Sequence, residues 1–76
     1  MQRELVNSSN ISSIGWENGT LEIEFNKDIV YQYYGVPPEV YENLFKSESI
    51  GKYVAQFVKK VFPFKMVNPK GDLNEI

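Results

Sequence analysis

The residues best suited by type and spacing to do chemistry are Ser47-Glu48-Ser49-Ile50-Gly51-Lys52. They lead into a segment whose apolar residues recur at helical steps, so Ser49 reads as an N-cap and Gly51 and Lys52 as first-turn residues. A helix start presents free backbone N–H groups and the positive end of the dipole. The Ser49 hydroxyl and the Lys52 charge would add to that field, a setting that suits a phosphate group. The pattern is not a P-loop, which needs Gly where this chain has Lys46 and Ser or Thr where it has Tyr53. An ordinary N-cap, with Gly51 permitting close helix packing, accounts for the same residues without a ligand.

The aromatic residues Trp16, Tyr31, Tyr33, Tyr34, Tyr41 and Tyr53 form a second candidate group, able to stack on a base or ribose. Packing in a core is the competing reading for at least half of them. Tyr34 alternates with Tyr31 and Tyr33 and is expected to be the most exposed of the three. Lys46, Lys52, Lys59, Lys60 and Lys65 give the C-terminal helix region a basic side, which is also what a solvated helix face looks like. Glu22 and Glu24 project from one strand face with no basic or metal-ligating companion nearby in sequence, as a wet face would.

Composition removes whole classes of chemistry. The 76 residues include no Cys and no His. Disulfide scaffolds, thiolate zinc sites, cysteine nucleophiles and histidine acid–base catalysis are therefore absent, and no metal site or cofactor motif is evident. The expectation is a protein that binds rather than catalyses. A net charge of −2 argues against a strong grip on a long polyanion, because that affinity comes from clustered cations releasing counterions. No run approaches the roughly 20 apolar residues of a membrane span, and Met1-Gln2-Arg3-Glu4-Leu5-Val6-Asn7 has no apolar signal-peptide core, so the chain is expected to be cytoplasmic.

The elements that must position these residues can be read from turn signals and periodicity. Asn18-Gly19 is a hairpin signal between a strand ending near Trp16 and the alternating Leu21-Glu22-Ile23-Glu24-Phe25. A second turn at Asn26-Lys27-Asp28 leads into Ile29-Val30-Tyr31-Gln32-Tyr33-Tyr34, with apolar bulk on both faces. Gly35-Val36-Pro37-Pro38 stops that strand and opens a helix from about Pro38 to Phe45. The second helix carries Ile50, Tyr53, Val54, Phe57, Val58, Val61 and Phe62 on one side and is expected to run to Pro63. The fold expected is α+β: a three-stranded antiparallel meander packed on one face against two C-terminal helices. Residues 1–7 read as a lead-in, 8–64 as the domain and 65–76 as a polar tail. So small a core makes self-association into a homo-oligomer a reasonable expectation.

The stretch from Val6 to about Phe64 resembles the KTSC domain, a family named for its occurrence at the C-terminus of certain lysyl-tRNA synthetases. The resemblance rests on Ser8-Ser9 followed by Ile11, Ile14 and Trp16, then Leu21-Glu22-Ile23-Glu24-Phe25 and Tyr31-Gln32-Tyr33 before Gly35-Val36-Pro37. It continues through Val40-Tyr41, Leu44 and Ser49-Ile50-Gly51-Lys52-Tyr53. The chain departs from the family pattern at Asp28, where Gly is usual, and at Tyr53-Val54, where a Phe-Asn pair is usual. The resemblance implies a potential polar ligand contact at that Asn, which the departure puts in doubt for this chain. The resemblance implies a free-standing binding module without a known reaction, of the kind found in bacterial and phage proteins, with nucleic-acid contact implied by the synthetase fusions.

The candidate ligand-binding set is Ser8, Ser9, Tyr31, Tyr33, Tyr34, Ser49, Gly51 and Lys52. Three partners compete for it. A phosphate-bearing small molecule such as a nucleotide needs one good anion pocket. An RNA needs the basic side joined to exposed aromatics. A protein partner needs only the Tyr-rich sheet face or the Leu73–Ile76 tail.

Overall fold

The structure, a computed structural model, describes residues 1–26 and 29–67. Its strands are β1 (Glu4–Leu5), β2 (Ile11–Glu17), β3 (Thr20–Phe25), β4 (Ile29–Tyr34) and β5 (Phe64–Met66), and its helices are α1 (Pro38–Lys46) and α2 (Ile50–Phe57). The strands form one sheet in the order β1-β2-β3-β4-β5, every neighbour antiparallel.

The expected hairpin forms as its residues require. Asn18 and Gly19 both have positive φ, 51° and 84°, as a type I′ turn demands, and Glu17 pairs with Thr20 across it. β2 has a harder problem, since Ile11 and Ile14 are an odd number of residues apart and cannot share a face of a regular strand. A register shift between Ile11 and Ser13 resolves it by setting Ile11 opposite Phe25 while Ile14 stays opposite Ile23. Both isoleucines are then buried against the helices. Leu21 and Ile23 join them, and Glu22 and Glu24 take the other face, following the alternation of β3. Of the second turn, Lys27 and Asp28 lie outside the described residues.

The core comprises Ile11, Ile14, Leu21, Ile23, Tyr33, Val36, Leu44, Val54 and Val58. Burying an aliphatic side chain of this kind stabilises a fold by about 1.5–3 kcal/mol, so no single one dominates. The Trp16 indole N–H donates to the Val36 carbonyl at 2.8 Å and ties β2 to the segment entering α1.

Three expectations need correction. The sheet has five strands rather than three. β1 is two residues long and carries no periodicity, while β5 is three residues long and pairs with β4 only after the helices have folded back. For the same reason the helices are not C-terminal: they form the connection between β4 and β5. Finally, α2 ends at Phe57 although its apolar spacing continues to Phe62. There the Lys59 N–H reaches back five residues to the Val54 carbonyl at 2.8 Å, a wide turn, and the Val61 N–H three residues to that of Val58, a tight one, and beyond them Pro63 accepts from the Tyr34 N–H. Lys65 and Met66, read as the start of a polar tail, lie in β5. The rest of that tail from residue 68, Leu73–Ile76 included, lies outside the described residues. Among the described residues no helix is long and apolar enough to cross a membrane.

Candidate functional site

Ser49 caps α2 as its residue type requires: its side chain accepts from the Lys52 backbone N–H at 3.3 Å. The first turn of α2 faces the loop before β2. A side chain on Gly51 would stand 3.9 Å from both the Asn10 amide nitrogen and the Ser8 hydroxyl, so glycine leaves these groups open to a visitor. Ser8 in turn accepts from the Asn10 backbone N–H at 3.4 Å.

Two clefts flank this junction, each of about 320 Å³. The first lies between the sheet and α2, lined by Asn10, Phe25, Asn26, Gly51, Val54 and Lys59 among others. Asn26 is fixed there by donating to the Ser9 carbonyl at 2.6 Å and accepting from the Ser12 hydroxyl at 3.1 Å. The Lys59 ammonium sits 5.2 Å from the centre of the Phe25 ring. The second cleft is hydroxyl-rich, with Ser8, Ser9, Ser47 and Ser49 on its walls beside Glu48.

The structure thus brings Ser8, Ser9, Ser49 and Gly51 to one corner of the molecule. Lys52 is exposed and lines a separate shallow groove with Ser49, Tyr53, Gln56 and Phe57. The tyrosines stand elsewhere. Tyr33 is 1% exposed in the core, and its burial, with the Tyr31 phenol as a smaller cause, pushes its hydroxyl up to about 12. Tyr31 is half-buried in an aromatic row, meeting Phe25 edge-on at 5.5 Å and stacking on Phe64 at 5.2 Å. Tyr34 is on the opposite face of the sheet, where its hydroxyl donates to Gln32 at 3.0 Å. That face is a connected polar network rather than a pair of lone carboxylates: Gln32 donates to Glu22 at 2.7 Å, Ser13 donates to Glu24 at 2.8 Å, and Arg3 pairs with both glutamates.

Asn10, Asn26 and Arg3 were not singled out from the sequence, and Lys59 was read only as part of a basic helix side. The three cleft residues come together from the loop before β2, the end of β3 and the turn after α2, so local spacing carries no sign of their meeting. Among the described residues no group of three or more His, Cys, Asp or Glu could hold a metal ion.

A five-stranded antiparallel sheet bearing a helix pair, with polar clefts at one helix mouth, places the chain among small α+β domains. Residues 7–62 match the KTSC domain, and the chain belongs to that family. The crystal structure of a KTSC domain protein from Yersinia pestis is 37% identical, with a TM-score of 0.83 over 87% of this chain and 96% of that one. An uncharacterized protein of Stutzerimonas stutzeri is 38% identical over 61 residues, 78% of this chain and 86% of the relative. A lysine–tRNA ligase of Nostoc punctiforme is 41% identical over 49 residues, 64% of this chain but 9% of the ligase. The domain therefore occurs both as most of a short protein and as a small part of a lysine–tRNA ligase.

Proposed function

We propose that this chain is a non-catalytic binding domain that takes a compact phosphate-bearing ligand at the mouth of α2, on the side facing the loop before β2. The observation that supports this is the bare Gly51 against the Asn10 amide and the Ser8 hydroxyl, with Lys59 lining the cleft that Asn10 and Gly51 share. Amide and hydroxyl donors, the start of a helix and a lysine are the groups that recognise a phosphate. A volume of about 320 Å³ sits at the small end of ligand pockets, enough for one phosphate ester rather than a long backbone.

Thermal-shift measurements with inorganic phosphate, nucleotides and short RNAs, at low and high salt, test the reading, since a ligand that binds only the folded state raises the melting temperature. Nucleotides are expected to stabilise the wild type, Gly51→Val and Lys59→Ala to abolish the shift, and Lys52→Ala to leave it largely intact. If no phosphate compound raises the melting temperature, the reading fails.

An RNA contact is the second reading, favoured by Lys59 lying over Phe25 beside the Tyr31–Phe64 stack. It would be recognised by stabilisation that needs the oligonucleotide, not the mononucleotide, and that collapses as salt rises.

A further inference from the structure

The free edge of β5 plays no part in the cleft at α2. The Tyr34 N–H donates to the Pro63 carbonyl at 2.9 Å and the Val67 N–H to the Val30 carbonyl at 2.6 Å, while Gln32 pairs with Lys65. This parity turns residues 63, 65 and 67 toward β4, so the N–H and C=O groups of Phe64 and Met66 point away from the sheet. No described strand pairs with them. The side chains of the same two residues are 55% and 60% exposed. Phe64 also ends the aromatic row that runs from Phe25 through Tyr31 to this edge.

We propose that the β5 edge accepts an extended segment of another protein as an added strand, with apolar residues beside Phe64 and Met66 and an acidic residue between them beside Lys65. The backbone groups of Phe64 and Met66 supply the hydrogen bonds of strand addition, and their side chains supply the apolar contact. Charge chooses the occupant. Lys65 stands mid-edge on the other face, and among the described residues its ammonium has no carboxylate partner. Two copies paired symmetrically about this residue would set lysine against lysine, whereas a carboxylate on the incoming strand would be drawn to it. The opposite edge, β1, has two residues and carries Glu4, so it offers a shorter and oppositely charged template.

Fluorescence anisotropy with a labelled, end-blocked peptide alternating valine and glutamate tests the proposal. Two control peptides go with it: one with lysine replacing glutamate, and one N-methylated on the amides that would face β5. The valine–glutamate peptide is expected to bind saturably. N-methylation, the lysine replacement and Met66→Pro should each weaken binding by about tenfold or more. Met66→Pro removes an outward N–H and leaves the bonds to β4 in place. Lys65→Glu, at an exposed position, should reverse the preference between the two charged peptides. Three results overturn the proposal: no saturable binding of the valine–glutamate peptide, equal binding of its N-methylated form, or a wild-type dimer by sedimentation that Met66→Pro dissociates. The last assigns the edge to a second copy of this chain.

Discussion

The carbonyl oxygen of Gln2 occupies the space that a side chain on Gly15 would need. Glycine at this position of β2 is therefore what lets the N-terminal segment lie down along the sheet, placing Arg3 over Glu22 and Glu24 and β1 beside β2. The obstruction is backbone, which cannot swing aside as a long side chain would.

Gly15→Ala should consequently destabilise the fold by about 1–3 kcal/mol, although alanine in place of glycine usually strengthens a strand. Urea unfolding measures the loss. Hydrogen exchange should show it concentrated in the amides that join β1 to β2, and equal protection of those amides in variant and wild type would contradict the account.

The Arg3 network predicts a salt-sensitive contribution. Arg3 and Glu22 are mostly shielded, with side chains 23% and 13% exposed, and Arg3 also approaches Glu24 at 3.7 Å. Arg3→Met keeps the aliphatic cover and removes the charge, so it should cost about 0.5–2 kcal/mol at low salt. That cost should shrink in 1 M salt, where the screening length falls to about 3 Å. Denaturation curves at the two salt concentrations decide it.

Tyr33 predicts the alkaline limit of stability. Its folded-state pKa is pushed up from 10.0 to about 12, mainly by burial. Between these values the unfolded chain releases the phenolic proton and the folded chain keeps it, so the unfolded state is favoured as pH rises. The stabilisation is whole below pH 10 and falls by roughly 1.4 kcal/mol per pH unit from there to about pH 12. Tyr33→Phe should remove this slope, as read by denaturant midpoints across the range, and an unchanged slope would mean that another group is responsible.

Ser49 separates capping from binding. Ser49→Ala should lower stability by about 1 kcal/mol without any ligand present, whereas Ser49→Gly should cost only a few tenths. If both variants bind a nucleotide as the wild type does once the melting temperatures are corrected for this baseline, the hydroxyl serves the helix and not the ligand.

Much of the fold is written in local pattern. Asn18-Gly19 demands positive φ, the β3 alternation separates Leu21 and Ile23 from Glu22 and Glu24, and Ser49 marks the start of α2. Each depends on residues within a turn of one another. The candidate site is only half legible in the same way. Ser49 and Gly51 announce a helix mouth, but nothing near them in sequence says that Ser8 and Asn10 will stand against it or that Lys59 will face the neighbouring cleft.

What the sequence determined by itself was the hairpin, the α+β class, the two helix starts and the family, because turn chemistry, side-chain periodicity and ordered motifs act over a few residues. Only the tertiary structure decided that β1 and β5 exist, since strands of two and three residues have no periodicity and are stable only against a partner already in place. It also decided where α2 stops, because the return of Phe64 to β4 outweighs a helical pattern that would otherwise continue to Phe62. Alternation had already set Tyr34 opposite Tyr31 and Tyr33, but their surroundings were settled there too: the pairing of β4 with β3 and β5 sent Tyr33 into the core, left Tyr31 in the aromatic row and joined Tyr34 to the polar network. Burial depends on what lies across from a residue, and that is set by chain segments far from it in sequence.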